Sequence, residues 1–212
     1  MKVILSLIYN YTNTVYRYYS YLKCPDLFQY DPNNLIKNIH RTDKVSVIRQ
    51  GLLFLVRFMH QYSLLPKKVD LVACQYGHVH LLDFLKSVKF NFNIDHSIYN
   101  RKHNIDIIAA LYGQLDCFKW IVSKKFVSKD YSNKSLWLTA IKHNRLEILK
   151  WASTKGLINH HDIYLMARMF DKDQIVAWLS NKFVTDLPSD VECQQYKLHN
   201  SYRYKELALT VY

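Results

Sequence analysis

At 212 residues, half of them hydrophobic and 15% aromatic, the chain is long and apolar enough to bury a core, which excludes a disordered polymer. Only four glycines and four prolines argue against a loop-rich all-β fold and for long helical runs. The net charge of +12, from 29 Lys and Arg against 17 Asp and Glu, attracts polyanions without specifying one. Because 21 of the 29 basic residues are lysines, the bias towards Arg expected of bidentate phosphate grips is missing, and a solvated basic surface is the first expectation.

The chain opens on a short apolar stretch, Met1 to Tyr9, which Asn10, Tyr11, Thr12 and Asn13 interrupt without a small-x-small cleavage site. No run approaches the roughly 18–20 apolar residues of a membrane-spanning helix, so a soluble chain with no membrane partner is expected. Val3, Ile4, Leu7, Ile8, Tyr11, Val15, Tyr18, Tyr19 and Leu22 keep a helical rhythm until the Pro25-Asp26 and Asp31-Pro32-Asn33-Asn34 clusters break it. Residues 1–38 therefore read as a divergent N-terminal helical region.

From there one phrase returns five times. It has a small residue, a turn-like residue four positions on, and a large aromatic seven positions after that. The turn residues are Gly51, Gly77, Gly113, Asn144 and Asp171; the aromatics are Phe58, Phe84, Trp120, Trp151 and Trp178. Val47, Ala73, Ala109, Ala140 and Ala167 precede the turns by four. A reversal between two antiparallel helices needs a residue that tolerates left-handed backbone angles, hence Gly and Asn. A small side chain four residues earlier lets the two helices approach, and apolar residues two, four and five after the turn face inward. No single pair buries this face alone, so adjacent copies must stack. The expected fold is an all-α helix-turn-helix repeat solenoid, with about five units over residues 39–185 and a C-terminal cap or tail over 186–212.

Two copies carry a family likeness. Ala73-Cys74-Gln75-Tyr76-Gly77-His78-Val79-His80-Leu81-Leu82-Asp83-Phe84-Leu85 and Ala140-Ile141-Lys142-His143-Asn144-Arg145-Leu146-Glu147-Ile148-Leu149-Lys150-Trp151-Ala152 resemble the A-x-x-x-G-H-x-x-[IV]-[VL]-x-x-L core of ankyrin repeats. The likeness is to the degenerate Lys- and Asn-rich versions in proteins of large DNA viruses, and covers roughly residues 43–180. The departures are definite. The turn residues lie 26, 36, 31 and 27 positions apart, against a family period of about 33. The T-P-L-H opening is absent from every copy. Ser87-Val88-Lys89-Phe90, Ser123-Lys124-Lys125-Phe126 and Ser180-Asn181-Lys182-Phe183 stand where the family has Gly-Ala-Asp. Irregular loops in place of uniform β-hairpin fingers are expected.

The chemistry-bearing residues argue for binding rather than catalysis. The ten histidines form no H-E-x-x-H and no His/Cys cluster, and His78 fills a position where the ankyrin resemblance implies support of the turn. No nucleophile elbow or phosphate loop is present, so no enzymatic activity, cofactor or metal is expected. Cys24, Cys74, Cys117 and Cys193 are widely spaced; Cys74 and Cys117 fall at apolar repeat positions and read as core residues of a reduced, intracellular chain. Trp120, Trp151 and Trp178 read as packing between units, and Lys124-Lys125, Lys129 and Lys134 as a solvated basic loop.

The resemblance implies non-catalytic protein recognition by a monomer, with Gln75, Tyr76, His103, Asn104, Lys142 and His143 as the exposed contact residues. It also implies a host protein as partner and the host cytoplasm as location. The alternative is a basic α-solenoid that binds nucleic acid.

Overall fold

The computed structural model describes residues 44–93, 104–126, 134–183 and 187–209. The expected N-terminal helical region, 1–38, lies outside them. Among the described residues all regular structure is helical, and there is no strand. The helices are α1 (Lys44–Arg49), α2 (Leu53–Gln61), α3 (Val69–Gln75), α4 (Val79–Ser87), α5 (Ile105–Tyr112), α6 (Leu115–Ser123), α7 (Lys134–Lys142), α8 (Leu146–Thr154), α9 (His160–Met169), α10 (Asp173–Lys182) and α11 (Asp190–Leu209).

The first helix of every pair ends where the sequence places its turn. Gly51, Gly77, Gly113, Asn144 and Asp171 have φ of +69°, +79°, +76°, +53° and +52°. The small residue four positions earlier has a second task besides close approach. Its carbonyl accepts the N–H of the residue after the turn: Val47 from Leu52, Ala109 from Gln114, Ala140 from Arg145 and Ala167 from Lys172, at 2.8–3.3 Å. This is the Schellman closure of a helix end, and it uses carbonyls that otherwise lack a partner in the helix.

A second turn follows twelve residues after the first in four of the pairs: Ser63 after Gly51, Lys89 after Gly77, Lys125 after Gly113 and Gly156 after Asn144, again at positive φ. The next residue is apolar, and its N–H returns to the helix: Leu64 to Met59 O, Phe90 to Leu85 O, Phe126 to Ile121 O and Leu157 to Ala152 O. The helix-turn-helix block is thus of constant size, and the uneven spacing of the copies falls in what links one block to the next. The fifth pair departs from this rule: α10 runs to Lys182, and Phe183 follows at φ −131°.

The described residues fall into two compact units. Residues up to Ala73 and His80–Phe90 belong to one, Cys74–Val79 and the residues from Asn91 onward to the other. In the first unit α1 packs on α2, and Val47, Ile48, Leu55, Val56, Met59, Leu81, Leu82 and Leu85 are buried. His80 places Nε2 2.8 Å from the carbonyl oxygen of Gly51. Phe84 takes the edge of the His60 ring and the Arg57 guanidinium.

In the second unit the first helices lie against one another in chain order, α5 on α7, α7 on α9 and α9 on α11, while α6 packs on α8. The position four residues after the turn is at most 1% exposed in every pair (Leu55, Leu81, Cys117, Ile148, Ile175). Phe118 is fully buried between the Trp137 and Trp151 rings, at 6.1 and 5.7 Å. Burial of one such side chain contributes about 2–3 kcal/mol. Trp151 therefore packs on the preceding pair, as the sequence suggests. Trp120 instead joins Phe126 from its own second turn and Phe92 from the segment before α5. Trp178, half-buried, meets Phe183 edge-on at 6.5 Å.

Helix α11 closes the described chain on α9. Ser189 Oγ accepts the Glu192 N–H at the helix start, and Arg168–Asp190 and His161–Glu192 pair at 3.1 and 3.0 Å. Cys193 is buried, whereas Val191 and Leu198 are exposed.

Candidate functional site

At the edge of the second unit where first helices turn into second helices, side chains link one turn to the next. Gln114, directly after the Gly113 turn, donates Nε2–H to the carbonyl of Gln75, two residues before the Gly77 turn, at 2.9 Å. Arg145, directly after the Asn144 turn, donates Nε–H to the carbonyl of Leu111, two residues before Gly113, also at 2.9 Å. The same register position thus ties each turn to the one before it. At the next step the tie changes: Asn144 Nδ2 donates to Gln174 Oε1 at 2.8 Å.

At two of these turns the glycine supplies the positive φ and leaves room in which the next pair's side chain sits. A Cβ on Gly77 would stand 2.6 Å from Gln114 Oε1, and one on Gly113 would stand 3.0 Å from Arg145 Cδ. Where the turn residue is Asn144, which carries a Cβ, its amide is itself the connecting group.

The residues just before these linked turns are, in order, Tyr76, Tyr112, His143 and Phe170. Tyr76 and Tyr112 are 39% and 42% exposed; His143 and Phe170 are half-buried. Lys142 holds its ammonium 4.9 Å above the Phe170 ring, a cation–π contact. Partial burial lowers the Lys142 pKa. The His143 imidazole is also held below its ordinary pKa, first by burial and then by the positive charges of Arg145, Lys172 and Lys142. The stripe therefore carries aromatic rings in series, with Lys142, Arg145 and Lys172 at its His143 end.

The six residues expected to make contacts divide as follows. Tyr76 is exposed on this stripe, with Lys142 and His143 half-exposed on it; Gln75 is half-buried, its carbonyl occupied by Gln114. Asn104 is 7% exposed at the start of α5, so its expected place on an exposed surface is corrected: the residue caps a helix inside the unit and its carbonyl accepts the Ile108 N–H. His103 lies outside the described residues. Sequence reasoning missed Tyr112, Phe170, Gln114 and Arg145. The repeat register contained the signal, since Tyr112 and Phe170 occupy the position of Tyr76, and Gln114 and Arg145 that of His78.

Other titratable groups serve packing. His160 Nε2 lies 2.8 Å from Ser153 Oγ, and its ring stacks on Phe183 at 3.8 Å. Cys74 and Cys117 are fully buried free thiols; a hydrogen bond with Cys74 draws the Cys117 pKa down, against burial and the Asp116 charge, which raise it. Among the described residues no three His, Cys, Asp or Glu side chains come together as a metal site requires. Lys124 and Lys125 are exposed, as the loop reading has them, Lys129 lies outside the described residues, and Lys134 instead begins helix α7. No helix among the described residues is long and apolar enough to cross a membrane.

Comparison with protein-family models, with curated proteins and with solved structures finds no match to this chain.

Proposed function

We propose that the chain is a non-catalytic protein-recognition module whose second unit is a solenoid of ankyrin-like helix pairs, presenting the turn stripe to a partner protein. The observation that carries this reading is the repeated tie from the residue after one turn to the carbonyl before the preceding turn, 114 to 75 and 145 to 111. A rigid row of equivalent side chains is what repeat proteins use for recognition. The resemblance of the Gly77 and Asn144 copies to degenerate viral ankyrin repeats makes a host protein the partner of choice, met in the host cytoplasm, where buried free thiols suit a reducing milieu.

Proximity labelling in cells tests the reading. It expects one reproducible protein neighbour, lost on the Tyr76→Ala/Tyr112→Ala double substitution while the helical circular-dichroism signal is kept. A labelling profile that the substitution does not change would reject it.

The net charge of +12 and the cations around His143 favour one second reading, a nucleic-acid-binding solenoid. It requires salt-dependent retention on RNA or DNA beyond that on an unstructured acidic polymer of equal charge.

A further inference from the structure

We infer that the turn stripe of the second unit takes an extended acidic peptide segment, with carboxylates at the Lys142–His143–Lys172 end and apolar side chains at the Tyr76–Tyr112 end. This rests on the protein-recognition reading above and names the chemistry of its partner.

The two ends of the stripe differ. At the His143 end, Lys142 holds its ammonium 4.9 Å from the Phe170 ring. Arg145 follows the Asn144 turn and donates to the Leu111 carbonyl, and Lys172 follows the Asp171 turn in the same register. After burial, these three cations also help hold the His143 imidazole below its ordinary pKa. Asp171, next in sequence to Lys172, has its carboxylate directed to Lys197 at 3.8 Å. Glu147 is paired with Lys150 at 2.8 Å. Asp173, exposed beside Lys172, is the remaining carboxylate of these turns, so Lys142, Arg145 and Lys172 leave a cationic excess that complementary charge from a partner would relieve. At the other end the two tyrosines contribute exposed ring surface, and the polar side chain between their turns, Gln114, is already spent on Gln75. Tyrosine supplies contact area at small entropic cost, a common property of binding hot spots.

A peptide suits the stripe better than a nucleic acid. Base stacking needs open ring faces in series. Here more than half of each tyrosine is covered, and the Phe170 face carries the Lys142 ammonium. A phosphate backbone would also need cations along the whole row, whereas these gather at one end.

Fluorescence anisotropy with the full chain and a labelled peptide, Glu-Asp-Glu-Glu followed by Gly-Leu-Phe-Gly-Leu, tests the inference against the same peptide with Gln and Asn for its acids, and against a single-stranded RNA oligonucleotide. The acidic peptide is expected to bind at least tenfold tighter than the neutral one. Lys172→Ala should weaken it about two- to fivefold, as an exposed charge contact does, and Tyr112→Ala about fivefold or more. Tyr62→Ala, in the first unit, serves as control and should leave affinity unchanged. Equal binding of the neutral peptide overturns the inference and leaves the recognition reading intact. Tighter binding of the RNA, weakened by Lys172→Ala, overturns both. Circular dichroism of each variant separates lost contacts from lost fold.

Discussion

Gln114 and Gly77 are built for each other. The Gln114 amide nitrogen bonds the Gln75 carbonyl at 2.9 Å, and its amide oxygen occupies the space that a Cβ on Gly77 would reach at 2.6 Å. One glycine therefore supplies both a left-handed turn and the seat for a side chain 37 positions on. This coupling between turns, rather than any single pair of helices, is what orders the stripe.

Gly77→Ala should destabilise the fold by about 1–2 kcal/mol from the left-handed backbone alone, and further by displacing Gln114. Chemical denaturation measures the total. The Gly77→Ala/Gln114→Ala double substitution should cost less than the sum of its parts, because one clash is shared. Strict additivity would show that the two side chains do not meet.

Arg145→Ala removes a charged donor from the Leu111 carbonyl and should cost about 1–2 kcal/mol. Arg145→Gln should recover much of this loss, since Gln114 makes the equivalent bond one pair earlier. Equilibrium unfolding of the two variants distinguishes the bond from the charge. If Gln is no better than Ala, the tie is not what Arg145 contributes.

Phe118→Ala leaves a cavity between Trp137 and Trp151 in the second unit and should cost about 3–5 kcal/mol. Trp fluorescence should change in the same variant, because both indoles lose their edge-on partner.

Acidification should destabilise the chain. His143 and His160 both have lowered pKa values, chiefly through burial, with nearby cations adding to it. A histidine whose folded pKa lies below its unfolded value of about 6.5 favours the fold while neutral, above that value. This advantage is lost as pH falls through the folded pKa. The melting temperature should therefore drop from pH 7.5 to pH 5, and the His143→Gln/His160→Gln variant should flatten that drop. An unchanged slope would remove these two residues as its source.

Much of the local fold was legible because it depends on few residues. A positive φ favours Gly, Asn and Asp, and these residues recur in register with a following aromatic, so all five first turns are legible in the sequence. The position four after each turn is legible because it is apolar in every copy and faces the core. The second turns were harder: Ser63, Lys89 and Lys125 pay for a left-handed angle that composition does not announce, and only the apolar residue after each hints at it. The contact residues were half legible. Tyr76 sits beside a glycine that marks its place, whereas Asn104 looks like a loop polar group and is buried because it starts a core helix. The ties 114 to 75 and 145 to 111 join residues more than thirty positions apart; the repeat register marks Gln114 and Arg145 as equivalent, but not which carbonyl each one reaches.

Spin-label distances between cysteines introduced in pairs at Tyr76, Tyr112 and Phe170 test the ordered row of turns most directly, the native thiols of the described residues being buried. With neighbouring helices about 10 Å apart, labels at 112 and 170 should lie about 20 Å apart and labels at 76 and 170 about 30 Å, each with a narrow distribution. A 76–170 distance equal to or shorter than the 112–170 distance would contradict the account.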